Sequence, residues 1–129
     1  MNRKLKPPGE WFKQADYDLG TADDMLKSGR YIYTIFMCHL SIEKALKGLY
    51  TKKFEKEPSK VHNLNYFLKE LGLALPQNLR DFVDEINTVS VPTRYPDEIE
   101  EILKHYKKAE AATMLQKTRG VVEWLRKNL

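Results

Sequence analysis

One stretch of twenty residues decides the fold, Tyr31-Ile-Tyr-Thr-Ile-Phe-Met-Cys-His-Leu-Ser-Ile-Glu-Lys-Ala-Leu-Lys-Gly-Leu-Tyr50. Apolar residues recur in it with the 3.6-residue period of a helix and form one stripe, namely Ile35, Cys38, Ile42, Ala45, Leu46 and Leu49. Three more apolar side chains, Tyr33, Met37 and Leu40, point away from that stripe. A helix that is apolar on more than one side is usually buried from more than one side. The pattern therefore predicts the central helix of a bundle, with surface left for a partner.

Small residues also recur along this stretch. Thr34, Ser41 and Gly48 follow one another at steps of seven on one flank, which predicts that a second helix approaches closely there. The polar residues of the stretch are expected on the border of the stripe or opposite it, and they are His39, Glu43, Lys44 and Lys47.

The rest of the chain also has helical periodicity, and no segment has a convincing strand pattern. Helices are predicted from about residue 10 to 27, over 64–71, from Pro76 to before Pro92, and from about 97 to the end with a brief break around 105–108. On the first helix Trp11, Ala15, Leu19, Ala22, Met25 and Leu26 form the expected apolar face, with Asp18 at its edge. On the terminal helix the expected face consists of Ala111, Met114, Leu115, Thr118, Val121, Val122 and Leu125. The fold class is therefore all-α, an antiparallel up-and-down four-helix bundle with an additional short helix. Residues 1–9 are expected to be a flexible basic arm before a single domain over 10–129.

Composition limits the classes of protein to consider. The single cysteine, Cys38, lies in the apolar stripe, so we expect it to be inert packing without an internal disulfide. No apolar run approaches the roughly 20 residues that span a membrane, and Met1-Asn-Arg-Lys4 lacks the apolar core of a signal peptide. We therefore expect a soluble, cytoplasmic protein that does not bind membranes.

Charge is distributed unevenly, although the net charge is only +4. Residues 81–101 hold seven acidic side chains against one arginine, a balance of −6. Residues 44–60 have a balance of +4 and residues 104–129 a balance of +5. This asymmetry fits either a site for an anionic ligand or acidic partner, or a solvated surface that complements the ends of helices.

Motifs for metal or nucleophilic chemistry are incomplete. His39 and Glu43 share a helix face at i and i+4, but no second element completes a metal site, so a hydrogen bond between them or to a neighbouring residue is expected. No phosphate-cradling glycine-rich loop or nucleophile motif is present. His62 follows the lysine-rich segment at the start of the short helix, where it either meets a phosphate or caps the helix. His105 lies among lysines on an expected solvent face.

One loop is bracketed by two prolines, Val91-Pro-Thr-Arg-Tyr-Pro-Asp97. Proline fixes the backbone angle φ, so Arg94 and Tyr95 are expected on a fairly rigid support.

Several motifs, in this order, resemble those of the HEPN domain family (higher eukaryotes and prokaryotes nucleotide-binding), over roughly residues 10–127. They are Ala15-x-x-Asp18-Leu19-x-x-Ala22, Gly29-Arg30-Tyr31, Ser41-Ile-Glu43-Lys44-Ala-Leu-Lys47, His62-Asn63-Leu64 and Arg94-Tyr95-Pro96-Asp97. The resemblance implies a bundle of four to five helices that is often dimeric. It also implies pairing with a separate minimal nucleotidyltransferase, as in toxin–antitoxin-like or nucleotide-handling modules.

Several branches of that family are metal-independent RNases with an Arg followed by four to six residues and then His. This sequence departs from that pattern, because eight residues separate Arg30 from His39 and ten separate Arg94 from His105. We therefore assign no catalytic residue, no metal and no cofactor, and the candidate ligands are a nucleotide and RNA.

The leading hypothesis is a homodimeric, non-catalytic domain that binds nucleotide or RNA phosphate and acts with a nucleotidyltransferase. The residues expected to bind phosphate or stack on a base are Lys44, Lys47, Arg94, Tyr95 and His62. The opposing interpretation is structural: Asp18, Glu43, Lys44 and Arg94 form an ion network that holds the loop on the bundle. The alternative functions are an RNase toxin that uses Arg94 with His62 or His105, and a purely scaffolding dimer.

Overall fold

Residues 5–90 and 96–129 are described by the computed structural model, and within them the chain forms six α-helices and no strand. The helices are α1 (Pro8–Lys27), α2 (Tyr31–Phe54), α3 (Leu64–Leu71), α4 (Gln77–Val89), α5 (Pro96–His105) and α6 (Lys108–Lys127). The predicted all-α class is confirmed. The break expected near the end of the chain is present, since α5 ends at His105 and α6 begins at Lys108.

Helix α2 lies at the centre of the fold and packs against each of the other five helices. Its predicted stripe is buried, and Ile35, Cys38, Ile42 and Leu46 have no exposed surface. Its second side is only partly covered, because 51% of Tyr33 remains exposed while Met37 and Leu40 are partly buried. The sequence therefore predicted both the position of α2 and its surplus apolar surface.

Small side chains let α1 lie directly on α2, as their spacing predicted. The Ser41 hydroxyl donates a hydrogen bond to the Ala15 carbonyl at 2.8 Å, and Thr34 is fully buried. A Cβ atom on Gly48 would lie 3.1 Å from the Phe12 ring and from Cβ of Trp11. That distance is shorter than an ordinary van der Waals contact, so only glycine lets the helices approach this closely.

The four long helices alternate in direction. Gly48 meets Phe12 on α1 at one end, and a short turn through Gly29 joins α1 to α2 at the other, so these two helices are antiparallel. Helix α6 runs parallel to α2, because Cys38 meets Thr118 and, further along both segments, Leu49 and Leu129 line one cleft. Helix α4 is antiparallel to α6, with Leu79 near Gly120 and Phe82 near Lys117. The up-and-down arrangement is thus confirmed, with α3 and α5 added to it.

The apolar faces of α1 and α6 differ in how closely they match the prediction. Every residue expected on the α6 face is buried, namely Ala111, Met114, Leu115, Thr118, Val121, Val122 and Leu125. On α1 the buried aromatic residue is Phe12, and Trp11, which was expected on that face, is only partly buried. Helix α1 also begins at Pro8 instead of near Glu10, with proline in a first-turn position that suits its fixed φ angle.

Three local features fix the ends of α3. The Asn63 side chain accepts a hydrogen bond from the backbone N–H of Asn65 at 3.0 Å and so caps the start of the helix. Gly72 ends the helix with a φ of 64°, in the left-handed region that favours glycine. The Lys53 ammonium donates to the last carbonyl of α3, that of Leu71, at 3.0 Å.

Candidate functional site

The two lysines on α2 that were expected to bind phosphate, Lys44 and Lys47, have different environments. The Lys44 ammonium lies 2.9 Å from Oδ2 of Asp18, which is buried on α1. That oxygen receives no well-directed hydrogen bond, so the contact is mainly electrostatic. About a quarter (25%) of the Lys44 side chain is still exposed to solvent. This pair links α1 to α2 and agrees with the structural interpretation of these two residues.

Glu43, the residue directly before Lys44, is the centre of a second cluster. Only 4% of its side chain is exposed. One carboxylate oxygen, Oε2, lies 3.1 Å from the Lys47 ammonium, and the other, Oε1, lies 2.9 Å from Nδ1 of His62. A buried carboxylate is costly unless it is paired, and these two contacts from opposite sides offset that cost.

His62 differs from its partners because 57% of its side chain is exposed. A carboxylate only accepts hydrogen bonds, so the ring donates from Nδ1 to Glu43. The other ring nitrogen, Nε2, is left for a different partner. The expectation that His62 caps the short helix is wrong, because Asn63 provides that cap. The cluster thus joins a buried carboxylate to an exposed imidazole.

His39 completes the cluster from within the core. It is buried, and its Nδ1 lies 4.0 Å from Oε1 of Glu43, at the limit of an ion-pair contact. Burial lowers the pKa of His39, with the Glu43 charge opposing that shift. The ring therefore stays neutral near pH 7. The separation of 4.0 Å is too long for a hydrogen bond between His39 and Glu43, and Glu43 makes its shorter contacts to Lys47 and His62.

Asn87 on α4 ties this cluster to the neighbouring helices. Its Oδ1 accepts from the Leu64 N–H at 2.9 Å, and its Nδ2 donates to the Asn63 side chain at 3.1 Å. Its side chain also lies beside the His39 ring, where it opposes the lowering of the His39 pKa by burial. Asn87 thus connects α2, α4 and the start of α3, and it precedes the proline-bracketed loop by only a few residues. Sequence reasoning missed Asn87 because a single polar residue on an amphipathic helix gives no signal of its own.

Aromatic rings surround the Lys47 ammonium beyond its carboxylate. It lies 5.9 Å from the centre of the Trp11 ring and 5.8 Å from that of Phe67. Lys6, just before α1, places its own ammonium 4.1 Å from the centre of the Trp11 ring. Trp11 therefore has two cations within the range of cation–π attraction.

The remaining assigned residues, Arg94 and Tyr95, lie outside the described residues, and the part of the expected ion network that involves Arg94 lies outside them too. The structure brings Lys44 together with Asp18, and Lys47 together with Glu43 and His62. His105 forms a separate exposed contact, with its Nε2 3.3 Å from Oε1 of Glu101.

No group of three or more His, Cys, Asp or Glu side chains in residues 5–90 and 96–129 is arranged to hold a metal ion. Burial raises the pKa of the Cys38 thiol to about 11, which agrees with inert packing. None of the helices in the same residues is both long and apolar enough to cross a membrane.

Fold and geometry together define a small all-α domain whose central helix carries the polar cluster. The model of the HEPN domain family matches residues 9–128, nearly the whole chain, so the protein belongs to the HEPN family.

Solved structures agree with this assignment of the fold. TT1696 from Thermus thermophilus superposes with a TM-score of 0.81 at 24% identity, covering 97% of this chain and 100% of that one. ST0689, an archaeal HEPN homologue, superposes with a TM-score of 0.73 at 18% identity, covering 96% and 98% of the two chains. No curated protein sequence matches this one.

Proposed function

We propose that this HEPN domain binds the phosphate of a nucleotide or of RNA at the edge formed by His62 and Lys47, and that it acts with a minimal nucleotidyltransferase. Family membership supports the class of ligand. The observation that carries the proposal is the contact between His62 and the buried Glu43 carboxylate, at 2.9 Å. It holds an exposed imidazole in one orientation, with Nε2 directed away from its carboxylate partner.

Charge around the cluster supports an anionic ligand. In its protonated form the His62 ring carries a positive charge and donates from Nε2 as well as from Nδ1. Lys56 and Lys60 are exposed on the loop that leads to His62. Charge-assisted hydrogen bonds of this kind are roughly twice as strong as neutral ones, and phosphate oxygens are good acceptors for them.

Lys44 and Lys47 have different roles in this proposal. Lys47 contributes positive charge from below the surface, since only 10% of its side chain is exposed and its ammonium faces Glu43. Lys44 would have to leave Asp18 to reach a phosphate directly. We therefore propose His62 as the primary phosphate contact and Lys44 as a structural residue, with Arg94 and Tyr95 as candidate contacts from the loop.

The proposed assembly is a homodimer through the exposed side of α2 around Tyr33. Tyr33 packs edge-on against Phe36, with 5.9 Å between ring centres, so the two rings form one aromatic surface. Tyr33→Arg is expected to convert a dimer to a monomer in light scattering. A wild-type protein that is monomeric at high concentration would contradict this part of the proposal. Co-purification with a nucleotidyltransferase encoded beside it would support the paired module.

Ligand-dependent thermal stability tests the phosphate proposal. A ligand that binds only the native state raises the melting temperature, so millimolar ATP or AMP is expected to stabilise the protein. His62→Ala should remove that shift, and Arg94→Ala should reduce it. The matched control is His105→Ala, which removes an exposed histidine elsewhere and should leave the shift unchanged. No shift for the wild-type protein would favour a purely scaffolding dimer.

The same contact also favours a second candidate function, a metal-independent RNase toxin. A carboxylate that orients an imidazole through one nitrogen leaves the other as a general base, which is the arrangement used in many hydrolytic sites. The burial of the carboxylate favours His62 over His105 as the base, because Glu43 is 4% exposed whereas Glu101, the partner of His105, is 62% exposed. RNA cleavage in the presence of EDTA that is lost in both His62→Ala and Arg94→Ala would establish the RNase. Intact RNA at micromolar protein freed of its partner would exclude it.

A further inference from the structure

We infer that Trp11 is the surface on which the nucleobase of the ligand stacks, and that Lys6 covers the ring until the base replaces it. The inference rests on the proposed phosphate function, because the base is attached to the phosphate that binds near His62. It assigns the base contact to a tryptophan on α1 that no motif singled out. Its first basis is the pair of cations at Trp11, with Lys6 at 4.1 Å and Lys47 at 5.9 Å from the ring centre.

Trp11 is connected to His62 through a short series of contacts. The Lys47 ammonium lies near the Trp11 ring and 3.1 Å from Oε2 of Glu43, and Oε1 of the same carboxylate meets His62 at 2.9 Å. The indole and the imidazole are therefore separated by one lysine and one carboxylate. A nucleoside monophosphate also has two different ends. Its flat aromatic base would meet the indole, and its anionic phosphate would meet the imidazole.

The Trp11 ring has an unsatisfied polar group. Its Nε1 is shielded from solvent and has no hydrogen-bond partner among residues 5–90 and 96–129. A buried donor without an acceptor is unfavourable, and most buried polar groups in proteins avoid it. The N–H bond points outward in the plane of the ring, so a ribose or phosphate oxygen at the edge of the indole can supply the missing acceptor while the base stacks on its face. This observation is independent of the cation–π contacts and also indicates a ligand.

The relative strengths of the cation–π contact and of base stacking favour the replacement of Lys6 by a base. A cation–π contact near the surface changes an equilibrium constant by roughly two- to fivefold. Stacking of a base on an aromatic side chain changes it by roughly fivefold to more than a hundredfold. The base therefore gains more from the ring than Lys6 loses. The displaced ammonium, on a flexible side chain, is then free to pair with the phosphate.

Binding of AMP and of ribose 5-phosphate to the full-length protein tests the inference, because only AMP carries a base. We expect AMP to bind roughly fivefold to a hundredfold more tightly than ribose 5-phosphate. Trp11→Leu should reduce this ratio to near one, while Trp11→Phe, which keeps an aromatic ring, should retain part of it. The affinity for ribose 5-phosphate should change little in either variant.

Fluorescence gives a measurement that does not depend on a variant at Trp11. With Trp124→Phe the protein has one tryptophan, and saturating AMP should quench its emission and protect it from acrylamide. Lys6→Ala should make the free ring more accessible to acrylamide. Lys13→Ala, which removes an exposed lysine from α1, is the matched control and should have no such effect.

The outcomes separate this inference from the function on which it rests. Equal binding of AMP and ribose 5-phosphate, or unchanged Trp11 emission at saturating AMP, would overturn the stacking role and leave the phosphate site intact. Absence of binding by both compounds would overturn both. A preference for AMP that persists in Trp11→Leu would place the base on another residue.

Discussion

The two acidic residues that face α2 lysines, Asp18 and Glu43, show how one helix edge can serve two purposes. Asp18 meets a lysine that is 25% exposed, and this pair joins α1 to α2. Glu43 meets a lysine that is only 10% exposed, and it also holds the exposed His62. The Asp18 pair joins two helices, whereas the Glu43 cluster connects the core to the surface. Removal of the carboxylate from these two acid–lysine pairs should therefore affect stability to different extents.

Removal of each carboxylate should separate the two pairs most clearly. Glu43→Ala leaves Lys47 buried without a counter-ion, and loss of one partner of a buried pair costs about 3–5 kcal/mol. Asp18→Ala leaves Lys44, which can extend into water along its flexible stem, so we expect about 1 kcal/mol. Urea unfolding of both variants measures the difference. Equal losses would mean that the two pairs are equally dependent on burial.

The close contact between α1 and α2 beside the Asp18 pair gives the next largest effect. Gly48→Ala places a methyl group 3.1 Å from the Phe12 ring, and we expect it to destabilise the protein. Overpacking of this kind costs about 1–3 kcal/mol. Gly20→Ala is the matched control, because that position on α1 has no atom within 4 Å and is helical. There the substitution should stabilise the protein by about 0.4–1 kcal/mol, and thermal melts should show opposite signs.

A double-mutant cycle measures how far Lys47 and Glu43 depend on each other. Glu43→Gln and Lys47→Met each leave one group without its full set of partners, whereas the double variant removes both charges. The double variant should therefore be more stable than the sum of the single losses predicts, with a coupling of about 0.5–3 kcal/mol. Additive losses would show that Glu43 is stabilised mainly by His62.

The buried His39 should give the smallest effect, a loss of stability in mild acid. Burial lowers its pKa below the ordinary value of 6.5, so the unfolded chain takes up a proton on this group before the native state does. Its contribution to stability is complete above pH 6.5 and decreases as the pH falls from there towards the lowered native pKa. Melting temperatures between pH 7.5 and pH 5 should fall more for the wild-type protein than for His39→Gln. Parallel curves would contradict a neutral buried ring.

Periodicity was enough to identify the helices and most of the core. The stripes of α2 and α6 are buried as expected, and the small residues at steps of seven mark the contact with α1. The misassignment of Trp11 arose because it is next to Phe12, and a helical wheel does not decide which of two adjacent aromatic residues lies deeper. The helix boundaries followed from local signals such as Asn63 and Gly72.

The polar cluster was less accessible to prediction. The spacing of His39, Glu43 and Lys47 at steps of four did place them on one face, but that face was assigned to the border of the core. It is buried because α1, α3 and α4 all reach it. The sequence of α2 alone does not show which other helices pack against this face. The contact of Glu43 with His62 depends on the path of the loop between α2 and α3, and Asn87 depends on the position of α4.

The contact between the first and last helices has a consequence for how the chain acquires its structure. Arg126 on α6 lies over the Phe12 ring of α1 at 5.2 Å and pairs with Asp16, so the two ends of the sequence meet in the native state. Contacts between residues so far apart along the chain slow folding, because a long loop must close before they form. A nascent chain still lacking α6 would expose the apolar faces of α1 and α2 on the ribosome. The domain is therefore expected to complete its folding only after its C-terminal helix has left the exit tunnel.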